Sequence, residues 1–221
     1  MFTRRVVCSL RAAVALGILA ALATTALGAD NDWQLWTAFN VKVEVTDNFG
    51  VFATPQLRWQ DNWDTWFYER YDLGLSFKVS ERWRVEPLYS RIEKKSGGDW
   101  DVSDLLSADV YYTAPMGLWD MQFENRVRLE KNFDTEREAG RERVKLSKNL
   151  PGVDGLSAFV SDEIIYDFSG GDLTENRAAI GLSKKFEHGV SAGAAYQLTS
   201  KQKEGDWDDF NTLVVNLGLS L

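Results

Sequence analysis

Basic side chains recur at every second position in two neighbouring stretches of this 221-residue chain, as Arg126 and Arg128 and then as Arg141, Arg143 and Lys145. Glu124 and Glu130 share the parity of the first stretch. A guanidinium presents a planar fork of donors that fits carboxylate and phosphate groups. A ladder of guanidiniums along one strand face therefore has two chemical uses. It can pair with carboxylates on adjacent strands and hold their register, or it can offer a basic path to acidic solutes, as charged rings do in pores. Arg58, Arg70, Arg84, Arg177 and Lys185, with Glu86 and Glu163, occupy the same kind of position in their own segments, as do Glu44, Asp72, Asp109 and Glu175. This set is close to charge balance, so the surplus acid of the chain falls mainly in connecting segments such as Asp99, Asp101, Asp206, Asp208 and Asp209.

Other chemistries find little material. The only histidine is His188, beside Gly189 in a turn signal, and no serine or aspartate is spaced to form a relay with it. The one cysteine, Cys8, lies in the N-terminal leader, and no His/Cys group suits zinc. The acids at 99, 101 and 104 and at 206, 208 and 209 offer weak calcium ligands, but such runs are ordinarily solvated. The expectation is no catalytic residue, no metal and no cofactor.

The elements that must position these residues alternate with a period of two. From Met121, the odd positions Phe123, Val127 and Leu129 are apolar while Gln122, Glu124, Arg126, Arg128 and Glu130 are polar. A helix would scatter those charges around its circumference, whereas a strand collects them on one face. The same alternation runs through 33–46, 51–60, 66–79, 83–93, 104–113, 117–133, 141–148, 156–168, 175–186, 190–199 and 210–221. Long polar loops are expected at 94–103, 132–139, 169–174 and 200–209, with short turns between them. Strands of this length exceed the ordinary mean and approach the span of a bilayer. A soluble barrel or sandwich would alternate too, but its inner face would not carry this many charges. The fold expected is all-β, a single antiparallel transmembrane barrel of 10–12 strands. Eleven segments are countable, and placing both ends of the barrel on one side of the membrane requires an even number, which favours twelve. Trp59, Trp63, Trp66, Trp83, Trp100, Trp119, Phe186 and Trp207 stand near strand ends, as interfacial anchors do.

Residues 1–28 read as a cleaved secretory signal peptide: a basic start at Arg4 and Arg5, an apolar stretch over 12–27, and small residues at Ala26 and Gly28. The barrel domain is then 29–221. Without Arg4, Arg5 and Arg11, 22 of the 25 basic residues remain against 33 acidic ones, a formal charge of −11. Such acidity disfavours nucleic acid as a partner. No apolar run of helix-spanning length follows the leader. The expected setting is the bacterial outer membrane, with lipid and the outer-membrane assembly machinery as partners, small anionic solutes as cargo and a monomeric state. The final residue, Leu221, departs from the aromatic ending usual in outer-membrane assembly signals.

Three motifs carry a family resemblance. They are Glu124-Asn125-Arg126-Val127-Arg128-Leu129-Glu130, then Ser161-Asp162-Glu163-Ile164-Ile165-Tyr166-Asp167, then Glu175-Asn176-Arg177 running on through Gly181 to Phe186. In this order they resemble the recurrent pieces of a bacterial outer-membrane barrel family of unknown function (DUF2490). The resemblance covers most of the chain after the leader, implies one barrel domain, and brings no activity with it. Residues 83–93 followed by the arginine segment are also similar to the small porins for acidic oligosaccharides, whose first strand has no equivalent here.

Overall fold

A computed structural model describes residues 33–117, 120–203 and 205–221. The signal peptide expected at 1–28 and the girdle position Trp119 lie outside the described residues. Eleven strands follow one another: β1 (Trp33–Thr46), β2 (Phe49–Gln60), β3 (Thr65–Lys78), β4 (Trp83–Ser96), β5 (Asp99–Met116), β6 (Met121–Asn132), β7 (Glu138–Asn149), β8 (Leu156–Asp167), β9 (Asp172–Lys185), β10 (Val190–Lys203) and β11 (Asp206–Ser220). Each pairs antiparallel with its sequence neighbours, and β1 closes the barrel against β11.

The count corrects the expectation of twelve strands. With an odd number, the first and last strands run in the same direction, so their ladder is parallel, from Trp33 opposite Asn211 to Lys42 opposite Ser220. Main-chain bonds from Glu44 N to the Leu221 carbonyl and from Leu221 N to the Lys42 carbonyl, both 2.9 Å, extend this seam. Trp33 and Leu221 consequently lie at opposite ends of the barrel.

Two of the long polar loops are strand. In 94–103 the ladder continues to Ser96 opposite Asp99, closed by Gly97 and Gly98 at φ 60° and 104°. Only glycine reaches that pair of left-handed values without steric cost, which permits a two-residue hairpin turn. Likewise β10 and β11 pair as far as Lys203 opposite Asp206. Both hairpins rise beyond the wall, where each face meets water and alternation loses its meaning. The connections at 133–137 and 168–171 are short as well.

Alternation sorts the side chains as a transmembrane barrel requires. Leu73, Leu75, Phe77, Leu106, Leu129, Val160, Ile164 and Leu217 are exposed on the outside. Arg70, Asp72, Asp109, Glu130 and Glu163 are buried inside. Aromatic residues gather at both rims. At one, Trp66 meets Trp100 edge-on at 5.2 Å. At the other, Trp83 packs on Tyr112 at 4.9 Å and Phe49 on Phe77 at 5.2 Å. Polar contacts interrupt the outer face on β3–β5, where Tyr89 donates to Asp104 and Arg91 to Glu93, and again on β6–β9. There the Asn125 amide donates to Glu142 at 2.9 Å and the Asn176 amide to Asp162 at 3.1 Å.

One glycine couples the wall to the interior. At Gly181 an added Cβ would lie 2.5 Å from the Ala194 carbonyl oxygen and 2.7 Å from Cζ of Phe159. The bare backbone lets that ring lie flat against β9, under the Lys145 ammonium 4.7 Å from its centroid. Gly181→Ala is expected to destabilise the barrel by about 1–3 kcal/mol through overpacking. A lowered midpoint in the temperature dependence of the heat-modifiable gel band would show it, with Gly193→Ala, whose nearest neighbour is 3.3 Å away, affected less.

Candidate functional site: the charged lumen

The inner wall has two unlike halves. Around the central cavity β10, β11, β1 and β2 present mainly small, uncharged side chains, Gly193, Ala195, Gln197, Val214, Asn216, Ala38, Asn40, Thr54 and Gln56, with Arg58 of β2 as the charged exception. On β3–β9 it is charged. The cross-strand register brings Glu86 opposite Asp109, Asp109 opposite Arg128, Arg128 opposite Arg141, Arg143 opposite Glu163, and Glu163 opposite Arg177. Like charges directly opposite one another repel, and diagonal partners relieve them.

Asp109 accepts from Arg128 through both carboxylate oxygens, from Nε at 2.5 Å and Nη2 at 2.7 Å. Glu130 accepts from Arg141 Nε at 2.7 Å and stands 3.6 Å from both Arg70 Nη1 and Arg128 Nη1. Arg70 donates to Asp72 at 2.6 Å and to the Ser90 hydroxyl at 2.9 Å. In a second cluster Glu163 accepts from Arg126 and, at 3.1 Å, from Arg177, whose Nε also donates to Glu175 at 2.5 Å. Arg143 with Glu124 and Arg84 with Glu86 complete the set, each pair at 2.9 Å. Seven arginines thus meet seven carboxylates, and the network is neutral.

Two enclosed cations stand outside this balance. Among the described residues Arg58 has no ion pair, and its buried Nε has no hydrogen-bond partner. Its guanidinium lies between aromatic faces, 3.8 Å from the Trp36 centroid and 4.1 Å from that of Tyr68. Cation–π contacts of this kind contribute about 0.5–2 kcal/mol each and leave the charge unneutralised. Lys145 is held only over Phe159. Of the remaining sequence-derived site residues, Lys185 is exposed at the end of β9 and takes no part. Of the two uses open to the arginines at 126, 128, 141 and 143, pairing is the one seen, since each is tied to a carboxylate. Trp36, Tyr68 and Phe159 escaped the sequence reading as site residues. Their signal was parity, since each shares its face with charged or amide side chains.

Three cavities follow one another along the lumen, of about 600, 500 and 300 Å³. The first and second share Arg58, Arg141 and Arg177, which form a septum between them. The second and third share Asn40, Thr54, Gln56, Arg126 and Arg128. His188 is exposed in the β9–β10 turn at φ 58°.

An apolar outer wall around a charged, cavity-bearing interior defines a β-barrel of the outer-membrane type. The chain belongs to the family described as "Protein of unknown function (DUF2490)", which matches residues 33–211. Among solved structures it is similar to the translocator domain of the autotransporter NalP from Neisseria meningitidis, at 15% identity and a TM-score of 0.43, over 76% of this chain and 73% of that one. It is also similar to a structure from a study of the in-meso crystallization of membrane proteins, at 11% identity and a TM-score of 0.39, over 83% and 82% of the two chains. Among curated proteins there is no match.

Proposed function

We propose that this protein is a narrow, non-enzymatic channel of the bacterial outer membrane that passes small anionic solutes. The observation that carries this reading is the pair of enclosed cations, Arg58 and Lys145, that hold no ion pair beside the neutral arginine–carboxylate network. Uncompensated charge in a confined, low-dielectric passage raises the local concentration of counterions and biases which ion crosses. The small neutral wall opposite the arginines supports the same reading, because it leaves room where the charged wall supplies attraction. The secretory leader read in the sequence and the apolar belt support placement in the outer membrane, inserted by its assembly machinery, as a monomer sealed by its own β1–β11 ladder.

Mature protein refolded into planar bilayers is expected to give small conductance steps and, under a potassium chloride gradient, a reversal potential of the sign set by anion preference. A folded, heat-modifiable barrel that stays silent would overturn the channel. It would favour instead a structural barrel with a closed lumen, the reading that the neutral seven-to-seven network supports.

A further inference from the structure

On β3–β9 an apolar side chain facing inward breaks the pattern, and three such breaks meet in one place, while Leu88 and Phe159 lie elsewhere along the lumen. Ile92 sits opposite Arg70 and Ile165 opposite Arg141, while Leu105 faces Ser90 and Asn132 across its two ladders. All three line the cavity of about 600 Å³ at the Trp33 end of the barrel, together with Trp36 and Phe210. Leu105, Ile165 and Trp36 are buried in it at 7%, 6% and 9% exposure. The cavity has the size of a small-molecule site, a class ordinarily apolar with a few placed polar groups.

Its polar groups are unevenly engaged. Glu130 and Glu175 are committed to Arg141 and Arg177. Arg58, on the cavity floor, has only the Trp36 and Tyr68 rings. The cavity therefore sets several apolar side chains beside one enclosed, unmet guanidinium, with Lys94, Lys95 and Lys201 exposed on its lining, and its floor is the septum toward the next cavity. A small hydrated anion would satisfy the cation and gain nothing from the wall. A neutral apolar molecule would do the reverse.

We propose that this chamber selects small amphipathic carboxylates, with the carboxylate on Arg58 and a ring or branched hydrocarbon body against Ile92, Leu105, Ile165 and Phe210. The inference deepens the channel reading and rests on it for the route of entry. Its test is independent of conductance. The mature barrel in lipid nanodiscs is titrated calorimetrically with phenylacetate, acetate and inorganic phosphate, with empty nanodiscs as the blank. Phenylacetate is expected to bind about ten-fold or more tightly than acetate or phosphate, as burial of a phenyl group predicts. Arg58→Gln should remove that binding by a similar factor, and Arg58→Lys should retain part of it. Phe210→Ser should bring phenylacetate down toward acetate and leave acetate unchanged. Equal affinity for the three anions, or no binding of phenylacetate, overturns the proposal even where the barrel conducts. Preferential phenylacetate binding, lost in Arg58→Gln, by a barrel that carries no current sustains it and overturns the channel alone.

Discussion

Replacing Glu163 by glutamine is expected to give the largest loss of stability of any single lumen substitution. This carboxylate is 6% exposed and takes hydrogen bonds from two arginines. Arg177 keeps Glu175 after the change, but Arg126 has no other ion-pair partner among the described residues. A buried charge whose partner is removed costs several kcal/mol, about 3–5 in dry interiors and less where water reaches it. The adjacent cavities make this lumen wet, so the expected loss is about 2–4 kcal/mol, read from urea unfolding of the barrel in liposomes. The companion Arg126→Gln removes the stranded charge, so the double variant should recover much of the loss. That recovery separates the pair from general disturbance. Single and double variants both within about 0.5 kcal/mol of the parent would mean that water already screens the cluster and that it does not hold register.

The fold was largely legible because the chain separates two solvents residue by residue. Each of the eleven segments announced itself by its period, and the register then placed the arginines of 120–130 and 141–147 inside. The strand number was misjudged for a topological reason. Nothing in the composition of β1 or β11 marks a ladder as parallel, because both present the same alternating face whichever way they run. The hairpin tips were misjudged for a physical one: above the lipid both faces of a strand are wet, so polarity there reports solvent and not backbone conformation. The Gly97-Gly98 pair was the readable sign of the tighter turn.

The site was legible to the level of residue type but not of pairing. Partners two apart on one strand, such as Arg70 with Asp72 and Arg177 with Glu175, follow from parity alone. Arg126 with Glu163 spans β6 to β8 across the intervening β7, and only strand tilt and side-chain reach bring them together. Which cation remains unpaired is a property of the whole assembled network, so Arg58 could not be distinguished from its neighbours in the linear chain. The polar interruptions of the outer belt were equally hidden. Asn125 and Asn176 are the middle residues of the two Glu-Asn-Arg motifs, where flanking inward charges drew the reading and the outward amide went unremarked.

Reversing Arg58 and Lys145 together to glutamate is expected to invert the ion preference of the pore. The remaining arginines and carboxylates cancel within the network, so the two substitutions replace two uncompensated positive charges of the lumen by two negative ones. Under a potassium chloride gradient the reversal potential should change sign, most strongly at low salt, where the Debye length of about 10 Å or more exceeds the distance from wall to permeating ion. Reversal at Arg126 and Arg128 is a poorer test despite the greater density of arginine there. Those two hold Glu163 and Asp109, so glutamates in their place would set carboxylate against carboxylate and disturb folding first. Arg58 and Lys145 rest on rings instead and hold no ion pair; Lys145 does stand opposite Glu124, but Glu124 keeps Arg143 as its partner. The neutral pair Arg58→Gln with Lys145→Gln guards against a misfolded reversal variant and should bring the preference close to unity. A reversal potential that neither pair of substitutions moves, in barrels that conduct, would mean that selectivity is set elsewhere along the lumen and that the two unmatched cations serve only to pack against their aromatic neighbours.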